Sequence, residues 1–147
     1  MSSHRDLPEG AVARILDGTT PPGVYRWPGA GRGDAAADAV RLAARAHWHA
    51  AVLPLADVTD KFSFLDACAE ALELPDWFGR NWDALQDCLT DLSWWGAPRG
   101  YLLIATGWEV LMRTAPDVGA AARPVVEEAV THWRTRRIPM TVLLDQE

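Results

Sequence analysis

The sequence predicts an α/β protein built on a mainly parallel sheet flanked by helices. Three observations carry this expectation. Short apolar runs of strand character alternate with segments of helical periodicity, the order expected of parallel crossover units. Two of the runs, Tyr101–Ala105 and Ile138–Leu144, are apolar almost without interruption, as strands covered on both faces are. The length of 147 residues, with 49% apolar and 23% charged side chains, suits one domain with a core of its own.

Residues 1–22 read as a leader holding one short helical turn, Ala11–Leu16, closed by Asp17-Gly18 and Pro21-Pro22-Gly23. Gly23–Trp27 alternates apolar and polar side chains and stops at Pro28-Gly29, the pattern of a short edge strand. Asp34 is the expected N-cap of an Ala-rich helix to His47, with Ala36, Val40, Ala43 and Ala44 near one face. Ala50–Leu55 is a second strand, and Lys61–Glu73 a helix with Phe64, Leu65, Cys68, Ala69 and Leu72 inward. Leu74–Gly79 forms a loop, Asn81 caps a helix to Leu92, and Ser93–Gly100 is another loop. After the strand at Tyr101–Ala105 comes a short helix, Trp108–Thr114. A longer helix is expected from about Arg123 to Arg136, because proline (here Pro124) fits a first turn and is costly deeper in. Ile138–Leu144 closes the chain as a buried strand.

Several classes of protein are disfavoured at once. No stretch approaches the ~20 apolar residues of a membrane span, and Met1–Asp6 is not followed by the apolar run of a signal peptide. Cys68 and Cys88 form neither a disulfide framework nor a zinc knuckle, which suits reduced thiols in a cytoplasmic protein. The net charge of −6 is unevenly placed. Residues 57–91 hold nine acids against Lys61 and Arg80, whereas residues 1–56 carry net +1 and residues 92–147 net zero. A basic surface for nucleic acid is therefore not expected.

The acidic stretch contains a helix at odds with its own stability. Trp82, Leu85, Leu89 and Leu92 form a core stripe, while Asp83, Asp87 and Thr90 share another face with Gln86 beside them. Like charges one turn apart cost roughly 0.2–0.5 kcal/mol. Asp87 and Asp91 lie toward the helix C-terminus, where the dipole disfavours anions by about 0.3–1 kcal/mol each. Trp77 and Phe78 stand just before this helix. A solvated acidic face with both aromatics folded into the core is the plain alternative. Acids, aromatics and a capping Asn converging on one loop–helix unit point instead to a protein interface.

These same residues carry a resemblance. Leu74-Pro75-Asp76-Trp77-Phe78-Gly79-Arg80-Asn81-Trp82-Asp83-Ala84-Leu85-Gln86-Asp87-Cys88-Leu89-Thr90-Asp91 closely resembles the signature of the barstar family, intracellular inhibitors of barnase-like secreted ribonucleases. The family pattern is Leu-Pro, an acid, two aromatics, Gly, any residue, Asn, any residue, Asp-Ala-Leu, any residue, and Asp-Cys-Leu-Thr. A looser likeness runs from about His49 to Asp145. The resemblance implies a small three-layer fold with a three-stranded parallel sheet over residues 49–147. Residues 1–48 become an N-terminal extension whose strand and helix are positioned to lengthen that sheet by one strand.

The resemblance also implies a function: the loop and helix plug the active site of a basic guanyl-type ribonuclease, with an acid mimicking the RNA phosphate. By position Asp87 occupies the phosphate site and Asp83 pairs with a rim Arg. Trp77 and Phe78 pack onto the enzyme, Gly79 and Asn81 shape the contact, and Gln86 and Thr90 border it. Asp76, Arg80, Trp94, Glu128 and His132 are further candidates. The sequence departs from the family at several of these. Trp77 and Phe78 stand where the family has two Tyr, Arg80 replaces an acid, and Gln86 replaces a Trp. Trp94 or Trp95 substitutes for a Trp normally placed just after the helix, and His132 falls where a Glu is expected, with Glu128 one turn away. No cofactor, metal, nucleic acid or membrane is expected, and the protein is expected to be a monomer.

The residues themselves admit two rival readings. Asp83 and Asp87 could serve as an acid/base pair, or bind a metal with His132, but helix neighbours point the same way and do not flank a cleft. No nucleophile elbow, P-loop or dinucleotide-binding Gly-rich turn is present. The other rival keeps the scaffold and changes the partner, making this an immunity or interaction protein against a different toxin.

Overall fold

The computed structural model describes residues 10–28 and 34–146. The leader's first nine residues, and Gly29 of the expected stop after the first strand, lie outside that range. Four strands, β1 (Val24–Pro28), β2 (His49–Pro54), β3 (Tyr101–Thr106) and β4 (Met140–Gln146), form one sheet in the order β1-β4-β3-β2. All three pairings are parallel, with Val24 opposite Val142, Leu103 opposite Val142 and Ala51 opposite Leu103. β3 and β4 are central and buried along their length, as their apolar runs require. β1 and β2 are edges, and Pro28 sits at the end of an edge strand, where a missing N–H costs least.

The helices are α1 (Ala11–Leu16), α2 (Ala35–Arg45), α3 (Lys61–Ala71), α4 (Trp82–Leu89), α5 (Trp108–Thr114) and α6 (Pro116–Thr135). With the sheet between them they make three layers. On one face of the sheet α3, α4, α5 and α6 enclose the larger core, including Leu65, Leu85, Leu89, Leu103, Leu111 and Val130. On the other face α1 and α2 pack Val12, Ile15, Ala39 and Ala43 against Leu102, Ile104 and Leu143. The N-terminal addition thus supplies both an edge strand and a whole covering layer. Trp48 joins addition to sheet by lying flat on Gly100, where a Cβ would stand 2.7 Å from its ring.

The structure corrects two helix boundaries. α6 begins at Pro116 rather than near Arg123, so Pro124 lies in the helix interior. Pro116 already occupies the first turn. Pro124 and Ala120, whose carbonyl it leaves without an N–H, are both exposed, so water can satisfy that carbonyl. The opposite face buries Val118, Ala122, Ala129, Val130 and Trp133, which outweighs the lost bond. α4 ends at Leu89 and not at Leu92, with Thr90 as C-cap. Leu92 still belongs to the core, fully buried with a left-handed φ of 53°. Asp91 therefore stands outside the helix, and its carboxylate accepts the N–H of Ser93 at 3.3 Å. Asp34 is the N-cap of α2, but its side chain makes no capping bond. The stretch expected as loop after α4 contains a 3-10 turn, Ser93–Trp95.

Candidate functional site

The acidic unit begins where α3 stops. Asp60 caps α3 by accepting the N–H of Ser63 at 2.8 Å, and the Ser63 hydroxyl returns the favour at the N–H of Asp60. At the far end Glu73 takes a left-handed φ of 55° and turns the chain into the loop. The loop closes on itself through the N–H of Phe78 to the carbonyl of Pro75, 2.9 Å. The two adjacent aromatics then part company. Phe78 turns inward against the main core, whereas Trp77 is 64% exposed. Gly79 is exposed, with a Cβ position in ordinary contact at 3.4 Å, so the fold itself does not demand glycine there.

Asn81 sets the start of α4. Its Oδ1 accepts the N–H of Ala84 at 2.7 Å and its Nδ2 donates to the carbonyl of Gly79 at 3.4 Å, joining loop to helix. The stripe behind the helix is as expected: Leu85 and Leu89 are buried, and Trp82 is half-buried with its ring 5.5 Å from Phe64. Outward stand Asp83 and Asp87. Both are exposed, and neither carboxylate has an ion pair or hydrogen bond among the described residues. Together with Lys61, Asn81, Trp82 and Ala84 they border an open hollow of about 560 Å³. Asp83 lies in the first turn of α4, where the dipole favours an anion, while Asp87 lies in the last, where it does not. Gln86 and Thr90 are half-buried, and the Thr90 hydroxyl is turned back to the carbonyl of Gln86 at 2.9 Å. Asp76 is exposed in the loop.

Arg80 is drawn back onto the protein. With a left-handed φ of 51° it swings to α3, and its guanidinium grips Asp66 at both ends, Nε to Oδ1 at 2.9 Å and Nη2 to Oδ2 at 3.1 Å. Its charge is thus met within the protein. Asp66 and Phe62, whose ring lies under the same guanidinium, carry no signal in the sequence beyond their i, i+4 spacing on α3.

Behind the face, two elements are pinned by tryptophan N–H groups. Trp94 donates to the carbonyl of Leu72 at 3.1 Å and Trp95 to Glu73 Oε1 at 3.0 Å, tying the 3-10 turn to the end of α3. Trp133 donates to the carbonyl of Leu89 at 2.8 Å from a buried position and locks α6 to α4. Burial, reinforced by Asp91 and then Asp87, pushes the Cys88 thiol up, and Cys68 is raised by burial alone; both cysteines are free. No group of three or more His, Cys, Asp or Glu among the described residues is arranged to hold a metal ion. No helix of the described residues is long and apolar enough to cross a membrane.

The barstar (barnase inhibitor) family model matches residues 48–145, about two thirds of the chain. The chain belongs to the barstar family. Members of this family are ribonuclease inhibitors and not enzymes. The match begins at Trp48, just before β2, so α1, β1 and α2 lie outside it. The three matched strands and four matched helices are the parallel sheet and flanking layer expected of a barstar, and β1 adds a fourth strand. A comparison with curated proteins finds no match.

Within this barstar fold the remaining candidates sit on α6. Glu128 is exposed without a partner among the described residues. His132 is half-buried, edge-on to Trp133 at 5.2 Å, and its Nε2 accepts from Arg136 Nε at 3.1 Å. No described bond joins His132 to Asp83 or Asp87.

A second histidine gives a measurable pH dependence. His49 stacks on Trp95 at 3.9 Å between ring centroids; burial lowers its pKa, with Glu73 opposing in part. The folded state therefore prefers neutral His49. Its contribution is complete above the unfolded value of about 6.5 and is lost as pH falls through the lowered folded value. Asp17 and Asp60, both with lowered pKa, remain ionised there and do not interfere. The urea midpoint is expected to fall between pH 7.5 and 5.5, and His49→Gln to flatten that slope; an unchanged slope in the variant would refute the assignment.

Proposed function

We propose that this protein binds and blocks the active site of a basic, secreted, guanyl-type ribonuclease, its acidic loop–helix standing in for the RNA phosphate. The observation that supports this reading is the condition of Asp83 and Asp87. They are exposed carboxylates on the helix of the family signature, and no described side chain or backbone group uses their acceptor capacity. A microbial ribonuclease cleaves RNA with a His and a Glu for proton transfer and holds the phosphate with Arg and Lys. A carboxylate offered to that site forms charge-assisted hydrogen bonds about twice as strong as neutral ones. Asp87 enters the phosphate site and Asp83 pairs with a rim Arg. Trp77 packs onto the enzyme surface, and Phe78, Gly79 and Asn81 hold the loop in shape. Arg80, bound to Asp66, does not repel the basic enzyme with a free charge. The acidic field steers association toward roughly 10⁸–10⁹ M⁻¹s⁻¹ at low salt. The protein acts as a cytoplasmic monomer, giving a bacterial producer immunity to its own toxin, and needs no metal or cofactor.

The test is direct. Mixed with a panel of purified guanyl-type ribonucleases, the protein is expected to abolish RNA cleavage by at least one of them at a one-to-one ratio, without added metal. Normal cleavage by every enzyme at large molar excess would overturn the proposal. The departures at Gln86 and His132 favour one alternative, the same scaffold directed at a different toxin. In that case a toxin encoded beside the protein, and no guanyl-type ribonuclease, is the species neutralised.

A further inference from the structure

Residues 57–91 contain only two bases, Lys61 and Arg80. They lie far apart in sequence, yet the fold brings both to one phenyl ring. Lys61 Nζ lies 5.6 Å and Arg80 Cζ 5.2 Å from the ring centroid of Phe62. That ring is 53% exposed, one of few large apolar side chains left outside among the described residues. α3 has no need of it for packing, since Phe64, Leu65 and Cys68 already form its buried side. The cluster is also well ordered by its neighbours. Asp66, one turn beyond Phe62, holds the Arg80 guanidinium by two hydrogen bonds, so the cation is fixed over the ring.

The cluster adjoins the acidic face. Lys61 lines the same hollow as Asp83 and Asp87, so the sign of charge reverses across that hollow. From these observations, and resting on the ribonuclease-binding reading above, we infer that Phe62 and Lys61, with the ring braced by the Arg80–Asp66 pair, form a second half of the interface. It accepts an apolar pocket of the same basic enzyme that carries an Asp or Glu at its rim. The acidic helix recognises the catalytic cations, which related ribonucleases share. The cationic aromatic cluster reads the rim, which can differ between them. An enzyme with Lys or Arg at that rim meets the Lys61 ammonium and is rejected, while one with a carboxylate is admitted. A nucleic acid is a poorer occupant, because Asp83 and Asp87 across the hollow repel phosphate.

The experiment uses the full chain and the ribonuclease of the panel that it inhibits. Phe62→Ala and Lys61→Glu are compared with the parent and with Asp87→Ala, each first shown to melt cooperatively. Each of the first two is expected to weaken binding at least tenfold, and Lys61→Glu to lose most at low salt. Changing the rim Asp or Glu of the enzyme to Lys is expected to restore binding to Lys61→Glu. If both variants bind within twofold of the parent while Asp87→Ala is impaired, the interface ends at α4 and the inference fails while the ribonuclease reading stands. If no enzyme of the panel is bound by the parent, both fall together. Binding of single-stranded RNA that is lost in Phe62→Ala would overturn the protein-partner assignment.

Discussion

Asp87→Ala is expected to lose more than about 2 kcal/mol of affinity for the inhibited ribonuclease, roughly thirtyfold or more in Kd, while the isolated protein becomes more stable. The two signs come from one feature. The Asp87 carboxylate has no partner among the described residues, so its removal breaks nothing in the fold. It stands in the last turn of α4, against the dipole, and one turn from Asp83. Relief of those two terms gives about 0.5–1.5 kcal/mol in favour of the folded state. Asp83→Ala separates the effects, because Asp83 sits in the first turn, where its charge helps the helix; that variant is expected to lose both affinity and stability. Calorimetric titration and thermal melts of the two variants check this. Unchanged affinity in Asp87→Ala would remove that residue from the phosphate site.

A chain beginning at Trp48, which keeps the whole family match, is not expected to fold as a monomer. Removing α1, β1 and α2 bares Leu102, Ile104 and Leu143, all fully buried in the complete protein. Burying such side chains contributes roughly 1.5–3 kcal/mol each, so about 5–9 kcal/mol is withdrawn. A domain of this size has only about 5–15 kcal/mol in total. The deletion also turns β4 into an open edge, with the Val142 N–H deprived of the Gly23 carbonyl, and releases Arg134 from the Pro22 carbonyl. Loss of near-UV dichroism with elution as aggregates is the expected outcome. A monomer with a cooperative melt would show that the second layer is dispensable.

Element types were legible because each followed a local rule. Tyr101–Ala105 and Ile138–Leu144 announced central strands by unbroken apolarity, and Asn81 announced α4 by its capping chemistry. The start of α6 was misplaced because two prolines, Pro116 and Pro124, both fit a first turn, and only tertiary burial of Val118 and Ala122 decides between them. The candidate site was legible as a segment but not as a surface. Adjacent loop aromatics have no periodicity to sort them, so nothing local says that Phe78 turns in and Trp77 out. Arg80 was legible as a charge, yet its pairing with Asp66 depends on a left-handed backbone at Arg80 and on the packing of two helices. The convergence of Lys61 and Arg80 on Phe62 follows from the same turn. The layer formed by α1 and α2 was half visible: β1 read as an edge strand, but not which edge it occupies.

That edge determines when the sheet can be completed. β1 is the first of the four strands to be made and β4, its neighbour in the sheet among the described residues, is the last of them, so Val24 must wait for Val142. At roughly 5–20 residues per second, β1 spends on the order of ten seconds on the ribosome without a pairing partner. The contact is also among the most distant the chain can make, the kind that slows folding most. The two central strands acquire their full set of neighbours only once β4 has left the ribosome. Nascent chains stalled before Met140 should therefore be protease-sensitive throughout β1, whereas α3 and α4 already have β2 and β3 available.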